Sequence, residues 1–591
     1  MPGPNLYAWE CGAAIEATWP PGTPASALDL HGRTWRREAT RVCERLGWSP
    51  RLRERVHVGS DGAYLGLFLS APPDQLEAAV AVAEHAWGVA AARGPVPPPF
   101  ADLEALARAA REPRLAALLD AADARGVVAT FDDDAVSVGA GARARTFPRG
   151  ALPAADEVAW DALGNVPLGL VTGSNGKTTV ARLAAAILRA AGHTVGVSTT
   201  DGVRVDAPGA DSAGVHAALE DGDWAGPGGA RRVLRDSRVT AAVLETARGG
   251  LLRRGLAVRR ATAAVVTNVA ADHLGEYGIA DVDGVAQAKL LVAHALRDEG
   301  ATLVAPADDA VLVRRVHALA RDAPFGLCWT SADPRQADAA VRAATSGALR
   351  GRACVVLAGE DGDVIASYDG RAWHDLARVA DVPIAAGGAA RHNVANAASA
   401  AALAIALGAP LAAVRAGLRA FGAGARDNPG RLERFAVGGA TVVVDYAHNP
   451  DGLAALHAAT RALPAARRLL LLGQAGDRDD AALDALAAAA WDGGAVDRVV
   501  LKELPTMRRG RAAGEVSARL RDALRRGGAP DAVIADAGSE ADGVRAALAW
   551  ARPGDLLVLP LHESREAVIG WLDAVARSGW RAGEPLPDGP G

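Results

Sequence analysis

Between residues 165 and 270 the chain alternates short apolar runs with longer amphipathic ones: VPLGLVTG, then TTVARLAAAILRAAG, then TVGVSTTDG, and further on TAAVLETA and TAAVVTNV. Short runs rich in valine and bounded by turn residues read as buried strands, and the intervening runs, apolar at three- and four-residue spacing, read as helices. This alternation predicts an α/β fold with a parallel sheet covered on both faces, whose ligands bind at the carboxyl ends of the strands. A second series, ATVVVDYA, RLLLLGQAG, DRVVLKEL, DAVIADAG and DLLVLPL, follows the Gly-rich stretch FGAGARDNPGR from Phe421 to Arg431 and predicts a separate Rossmann-like domain. Upstream the pattern is different. One strand, RVHVGSDGAYLGLFLSA, is expected among amphipathic helices such as TWRREATRVCERLGW and DQLEAAVAVAEHAWGVAAA, which makes a small α+β module. The Pro-rich GPVPPPF, residues 94–100, breaks it before the helical ADLEALARAAREPRLAALLDAADARG. The expected domains are therefore 1–155, 160–425 and 426–591.

Length agrees with this division, since 591 residues exceed what one core can organise and imply about three or four domains. Hydrophobic residues at 50% and charged ones at 23% are those of an ordinary globular chain. A net charge of -5 argues against a polyanion-binding surface, so nucleic acid is not an expected partner. Cys11, Cys43, Cys328 and Cys354 form no metal-binding spacing and read as buried free thiols. The first residues lack the basic start and apolar run of a signal peptide, and no apolar stretch is long enough to span a bilayer. No membrane association is expected, and the cytoplasm, with its ATP and Mg²⁺, is the expected compartment.

The sharpest chemical signal is Gly173, Ser174, Asn175, Gly176, Lys177, Thr178 and Thr179, placed between the strand LGLV and the helix VARLAAAILRA. Glycines let backbone N–H groups close around phosphate oxygens, and the helix N-terminus adds positive potential. Lys177 would bridge phosphates and Thr178 would ligate Mg²⁺. The spacing is shorter than GxxxxGK[ST], because Val171 stands where that pattern has its first glycine. Glu245 ends another apolar strand, and Thr267, Asn268, Asp272 and His273 follow a third. A site for a triphosphate and a carboxylate needs divalent cations, and Glu245 and His273 at adjacent strand ends are placed to ligate them. Taken singly, Glu245 reads first as a helix-capping or ion-pairing residue and His273 as a satisfied loop histidine; the order of the motifs along the chain reverses this preference in favour of the metal.

The segments LETARGGLLRRGL, VVTNVAADHLGEYGI and STTDG, with the GxxGKTT loop, resemble the Mur ligase superfamily, and within it the Mur-ligase-like half of the cyanophycin synthetase branch. The resemblance covers roughly residues 165–565. It implies a P-loop-type central domain, a Rossmann-like C-terminal domain, and Mg²⁺ on Glu245 and His273. It places Lys289 where many Mur ligases carry a carbamylated lysine; an exposed helical lysine is the alternative. Asn393, in RHNVAN, would sit at the nucleotide or cap its helix. Arg431 of DNPGRLERF would reach the ATP phosphates and Asp445 of VVVDYAHNPDG the ribose, from beyond a hinge whose closure completes the site. Thr200 and Asp201 of STTDG, Arg248, and His448 are assigned to substrate. Glu503 and Glu515, in KELPTMRRGRAAGE, are placed where the superfamily reads its amine; they would pair with a cation such as arginine, or belong to a solvated loop.

Cyanophycin synthetases carry an ATP-grasp domain before the Mur-like half, and residues 113–147 look like only the entry to one. The implied function is an ATP- and Mg²⁺-dependent carboxylate–amine ligase working through an acyl phosphate on small-molecule or peptide substrates. The alternative is a catalytically silent nucleotide-binding partner of a full-length cyanophycin synthetase. Such a synthetase, or a second copy of this chain, is the macromolecular partner the resemblance suggests.

Overall fold

The computed structural model describes residues 1–59, 62–91, 99–209, 217–272, 274–321, 323–336, 352–360, 362–424, 427–491 and 496–587. His273, residues 94–98 of the Pro-rich break and residues 425–426 of the Gly-rich stretch lie outside the described residues. Contacts divide the chain into two units, Met1–Ala377 with Ala395–Leu418, and Arg378–Val394 with Arg419–Gly591.

The first unit is built on an 11-stranded sheet. Its parallel centre runs, in spatial order, Val195–Thr199, Ala241–Glu245, Leu168–Thr172, Ala263–Val266, Thr302–Pro306, Gly326–Ser331 and Arg352–Leu357. The central strands are buried along their whole length, which is why the sequence shows them as continuous apolar runs instead of alternating ones. The order reverses at Leu168–Thr172. From this strand the chain turns towards Val195–Thr199, whereas from the adjacent Ala263–Val266 it turns the other way, towards Thr302–Pro306. A crevice opens at the carboxyl ends of two strands whose connections diverge, and this is where such sheets bind ligands.

The N-terminal part holds a 3-stranded antiparallel sheet ordered Gly12–Trp19, Gly62–Ser70, Leu52–Gly59. Helices Ala25–Arg45 and Leu76–Ala91 bury Trp35, Val42 and Val82 with Leu65, Leu67 and Leu69 of the sheet. The stretch expected as one strand is in fact a hairpin, with Gly59 opposite Gly62. Gly62 has φ +148, a backbone conformation that suits glycine at the turn. The strand Gly12–Trp19 is not among the expected elements, because a glycine and three alanines dilute the β-branched and aromatic signal of Ile15, Thr18 and Trp19. Pro113 divides the long helical stretch into Phe100–Ala109 and Pro113–Ala124. A small antiparallel sheet, Ala129–Phe131, Ala135–Val138 and Arg145–Pro148, follows. Its Asp132 pairs with Arg231 at 3.2 Å and Arg235 at 2.7 Å, on the helix Pro227–Arg235.

The second unit carries a 6-stranded sheet in the order Glu433–Val437, Ala440–Asp445, Leu556–Pro560, Arg468–Leu472, Arg498–Lys502, Ile534–Ala537. Successive residues feed opposite cores: Val442, Val444, Leu469 and Leu471 face one layer of helices, and Val443, Leu470 and Leu472 the other. All four cysteines are buried and free. Among the described residues no helix is long and apolar enough to cross a membrane.

Candidate active site

The Gly-rich loop leaves Leu168–Thr172 and enters the helix Lys177–Ala190, as the motif requires. Gly173 has φ +149, and a Cβ there would lie 1.8 Å from Thr267 Oγ1; Gly176 has φ +83, and a Cβ there would lie 2.1 Å from Asn396 Oδ1. Both positions therefore exclude any side chain.

The loop after Ala263–Val266 fixes the P-loop from the neighbouring strand. Ser174 N donates to Asn268 O at 3.0 Å, and Asn175 N to Asn268 Oδ1 at 2.9 Å. Thr267 Oγ1 and Asn268 Nδ2 donate back to Asn175 O at 2.6 and 3.1 Å, and Ala270 N donates to Ser174 Oγ at 3.0 Å. Asp309 in turn accepts from Val269 N at 3.0 Å while capping the helix Ala310–Ala320. These contacts preorganise the cradle across the point where the strand order reverses.

On the other flank, Thr178 Oγ1 donates to Glu245 Oε2 at 2.9 Å and lies 3.2 Å from Thr200 Oγ1. Thr200 N points to the same Glu245 oxygen at 3.4 Å. Glu245 is 1% exposed and Thr178 3%. This compact, all-oxygen donor set suits Mg²⁺, which takes one or two protein oxygens and completes its shell with water and phosphate oxygens. Among the described residues no cluster of three or more His, Cys, Asp or Glu forms a dedicated metal cage. Lys177 Nζ donates to Ser174 O at 3.0 Å.

Lys289 closes the helix Val282–Lys289 and is buried, not exposed. Burial, reinforced by Lys177, pushes its ammonium well below its ordinary range, with Asp272 opposing and Arg248 adding to the shift. Arg248, buried at 8% exposure, pairs with Glu276 at 2.6 Å. Asp201 pairs with Arg182 of the P-loop helix at 2.9 Å. Glu245, Thr178, Lys177, Asn268, Lys289, Arg248, Thr200 and Asp201 are thus all carried by the first unit. The sequence alone singles out neither Asn396 nor Asp309 for a role; Asn396 lies within the motif RHNVAN, whereas nothing local to Asp309 marks it, since its contact with Val269 N joins two segments forty residues apart.

Asn393, 3 positions before Asn396, belongs to the second unit and donates to Ile384 O at 3.0 Å. There Asp445 accepts from Leu432 N at 2.7 Å and Ala447 N at 2.8 Å. The Arg431 guanidinium lies 4.6 Å from the Tyr446 ring centre, and His448 Nδ1 is 3.0 Å from Tyr446 O. Glu503 is held by Arg508 at 3.2 Å, and Glu515 by Arg511 at 2.9 Å, so both carboxylates face arginines of their own loop. Lys502 is fully buried against Glu540, whose carboxylate also accepts from His562 N and Ser564 N, both at 2.7 Å.

Residues 171–404 match the Mur ligase middle domain, and residues 430–560 the Mur ligase glutamate ligase domain. Through these two segments the chain belongs to the Mur ligase superfamily. Within it the chain is similar to cyanophycin synthetases: it is 34% identical over 409 residues to that of Trichormus variabilis, across 69% of this chain and 42% of the synthetase. It spans less than half the length of that relative. It is also 30% identical over 323 residues to the UDP-N-acetylmuramoyl-L-alanyl-D-glutamate--2,6-diaminopimelate ligase of Mesorhizobium japonicum, across 52% of this chain and 57% of that ligase. Among solved structures, Mycobacterium tuberculosis folylpolyglutamate synthase complexed with ADP and AMPPCP aligns with a TM-score of 0.48 and 20% identity, over 70% of this chain and 90% of that one.

Proposed function

We propose that the chain is an ATP-dependent carboxylate–amine ligase of the cyanophycin-synthetase-like branch, acting on small-molecule or peptide substrates. The observation that carries this reading is the Thr178–Glu245 contact of 2.9 Å at the mouth of the stapled glycine loop. A carboxylate is a poor electrophile at neutral pH, so a carboxylate oxygen first takes the γ-phosphoryl group and ADP departs. The amine then attacks the acyl carbon and phosphate leaves. Both steps are matters of position and charge, which suits a site with fixed donors and no dedicated nucleophile.

In this reading the loop N–H groups and Lys177 hold the phosphates, while Thr178 and Glu245, with His273 assigned by the resemblance, would hold Mg²⁺, whose charge would offset that developing on the phosphate. Lys289, buried and with its ammonium disfavoured by that burial, would be the residue to take up CO₂ as a carbamate, as its counterpart does in many Mur ligases. In the second unit, Arg431, Asp445 and Asn393 are assigned to the nucleotide, and His448, Glu503 and Glu515 to the substrates. Arginine is the first amine to test against aspartate-containing acceptors.

The test is phosphate release by the purified chain with ATP, Mg²⁺ and pooled acids and amines, with the amide identified by mass. Turnover only when acid and amine are both present supports the ligase. ATP binding with no turnover under any pool supports the silent-partner alternative.

A further inference from the structure

The outward face of the N-terminal sheet is directed at the candidate active-site loop. Strands Leu52–Gly59 and Gly62–Ser70 both touch the turn Glu276–Gly278. The Tyr64 ring lies directly over Gly278, where a Cβ would come within 2.3 Å of Tyr64 Cδ1. Tyr64 is fixed in turn: its hydroxyl donates to Glu16 Oε1 at 2.9 Å and lies 3.0 Å from the Tyr7 hydroxyl, and Tyr7 stacks on Phe68 at 5.5 Å. From the adjacent strand, Arg55 donates to Gln287 Oε1 at 3.3 Å, two positions before Lys289 on the same helix.

A small apolar cluster lies beside these contacts. Leu252 of the ARGG helix, Ile279 of the turn, and Val285 and Ala288 of the Lys289 helix bury one another, and Leu6, Val269 and Tyr277 pack against them. Leu6 arrives from the N-terminal segment, which is anchored where Leu256 N donates to Pro4 O at 2.7 Å. Tyr277 has φ 55, an unfavourable conformation for a bulky residue that persists only where its surroundings impose it. Its neighbour Glu276 is the partner of Arg248. The cluster thus joins the three segments that carry Arg248, Glu276 and Lys289.

We propose that the N-terminal module is a positioning device for the active site, in which Tyr64 and Leu6 hold the turn Glu276–Gly278 and the Lys289 helix in their working geometry. Tyr64 and Leu6 are positioning residues: they act through Gly278 and the Ile279 cluster, not on substrate. The catalytic part of this inference rests on the ligase reading; the mechanical part does not.

The experiment compares Tyr64→Ala and Leu6→Ala with the wild-type full chain by hydrogen exchange without nucleotide, and then by kinetics. Both variants are expected to speed exchange over residues 274–289 about tenfold or more, a local opening, while residues 427–587 keep wild-type rates. Unchanged exchange over 274–289 in a Tyr64→Ala protein that keeps wild-type protection in Gly62–Ser70 would overturn the proposal. Should Tyr64→Ala disrupt that sheet, Leu6→Ala decides by the same criterion, because Leu6 lies outside it. In turnover the Mg²⁺ concentration for half-activation is expected to rise about threefold or more, with the KM for ATP at saturating Mg²⁺ little changed. A lower kcat with an unchanged Mg²⁺ requirement would mean a merely structural role and would sink the positioning claim. A wild-type chain without turnover removes the ligase reading and leaves the exchange result to judge the mechanical coupling.

Discussion

Thr178 Oγ1 and Glu245 Oε2 lie 2.9 Å apart, joining the first turn of the P-loop helix to the end of the adjacent strand. The pair sits at the carboxyl edge of strands that are themselves buried, so its geometry is set by the sheet and not by flexible loops. Glu245→Gln keeps the shape and removes the charge. It is expected to raise the Mg²⁺ concentration needed for half-maximal turnover while leaving thermal stability close to wild type. A metal titration that superimposes on the wild-type curve would show that Glu245 is not a ligand.

Lys177→Ala should abolish ATP-dependent ligation and leave the fold intact. The Lys177 side chain is half-buried at the mouth of the loop and carries no apolar core contact in the clusters described, so its truncation costs little packing. Turnover is expected to fall by at least ~10²-fold if the ammonium stabilises transferring charge as other preorganised donors do. Circular dichroism that matches wild type, with activity lost, confirms the assignment; retained activity refutes it.

Lys289 should behave as a CO₂-dependent residue. Its ammonium is disfavoured first by burial and then by Lys177, a shift towards the neutral amine, the form that reacts with CO₂. Turnover is expected to drop in CO₂-depleted buffer and to recover with bicarbonate, and Lys289→Ala should be inactive under both conditions. Native mass measurement that finds an unmodified lysine in fully active protein would remove the carbamate.

The segment around Asp132 should contribute stability that acid erases. Burial alone would raise its carboxyl, but hydrogen bonds from Arg235 and from backbone N–H groups hold it below its ordinary 3.8. A depressed carboxylate stabilises the fold above its unfolded-state value, and this stabilisation is lost as pH falls through the folded-state value. Asp132→Asn is therefore expected to melt earlier than wild type at pH 7, with the difference shrinking below about pH 4. Parallel melting curves across that range would show the Asp132–Arg235 pair to be energetically silent.

Glu503 is the sharper of the two candidates for amine recognition. It is 8% exposed and already paired with Arg508 at 3.2 Å, so a cationic amine has to displace that arginine to reach it. Glu503→Gln is expected to raise the amine KM by about tenfold, the worth of one charge-assisted hydrogen bond, with the KM for ATP unchanged. Wild-type ligation of neutral amines as readily as arginine would end the cationic-substrate idea and leave the ligase reading intact.

The sequence by itself determined the parallel sheet, the loop Gly173–Thr179 and the place of Glu245 and Asn268, because each is local. A buried strand announces itself by a continuous apolar run, and a phosphate cradle by glycines where no Cβ fits. What only the tertiary structure decided are pairings between distant segments. Nothing local in Lys289 says that a helical lysine is buried beside Lys177. The apparent single strand at 55–71 is two strands, Leu52–Gly59 and Gly62–Ser70, paired antiparallel to each other, a pairing that alternation along the chain does not record. Likewise Tyr64 over Gly278 depends on a sheet face that closes against a turn more than two hundred residues along the chain; side-chain periodicity records which face is apolar, but not which surface will meet it.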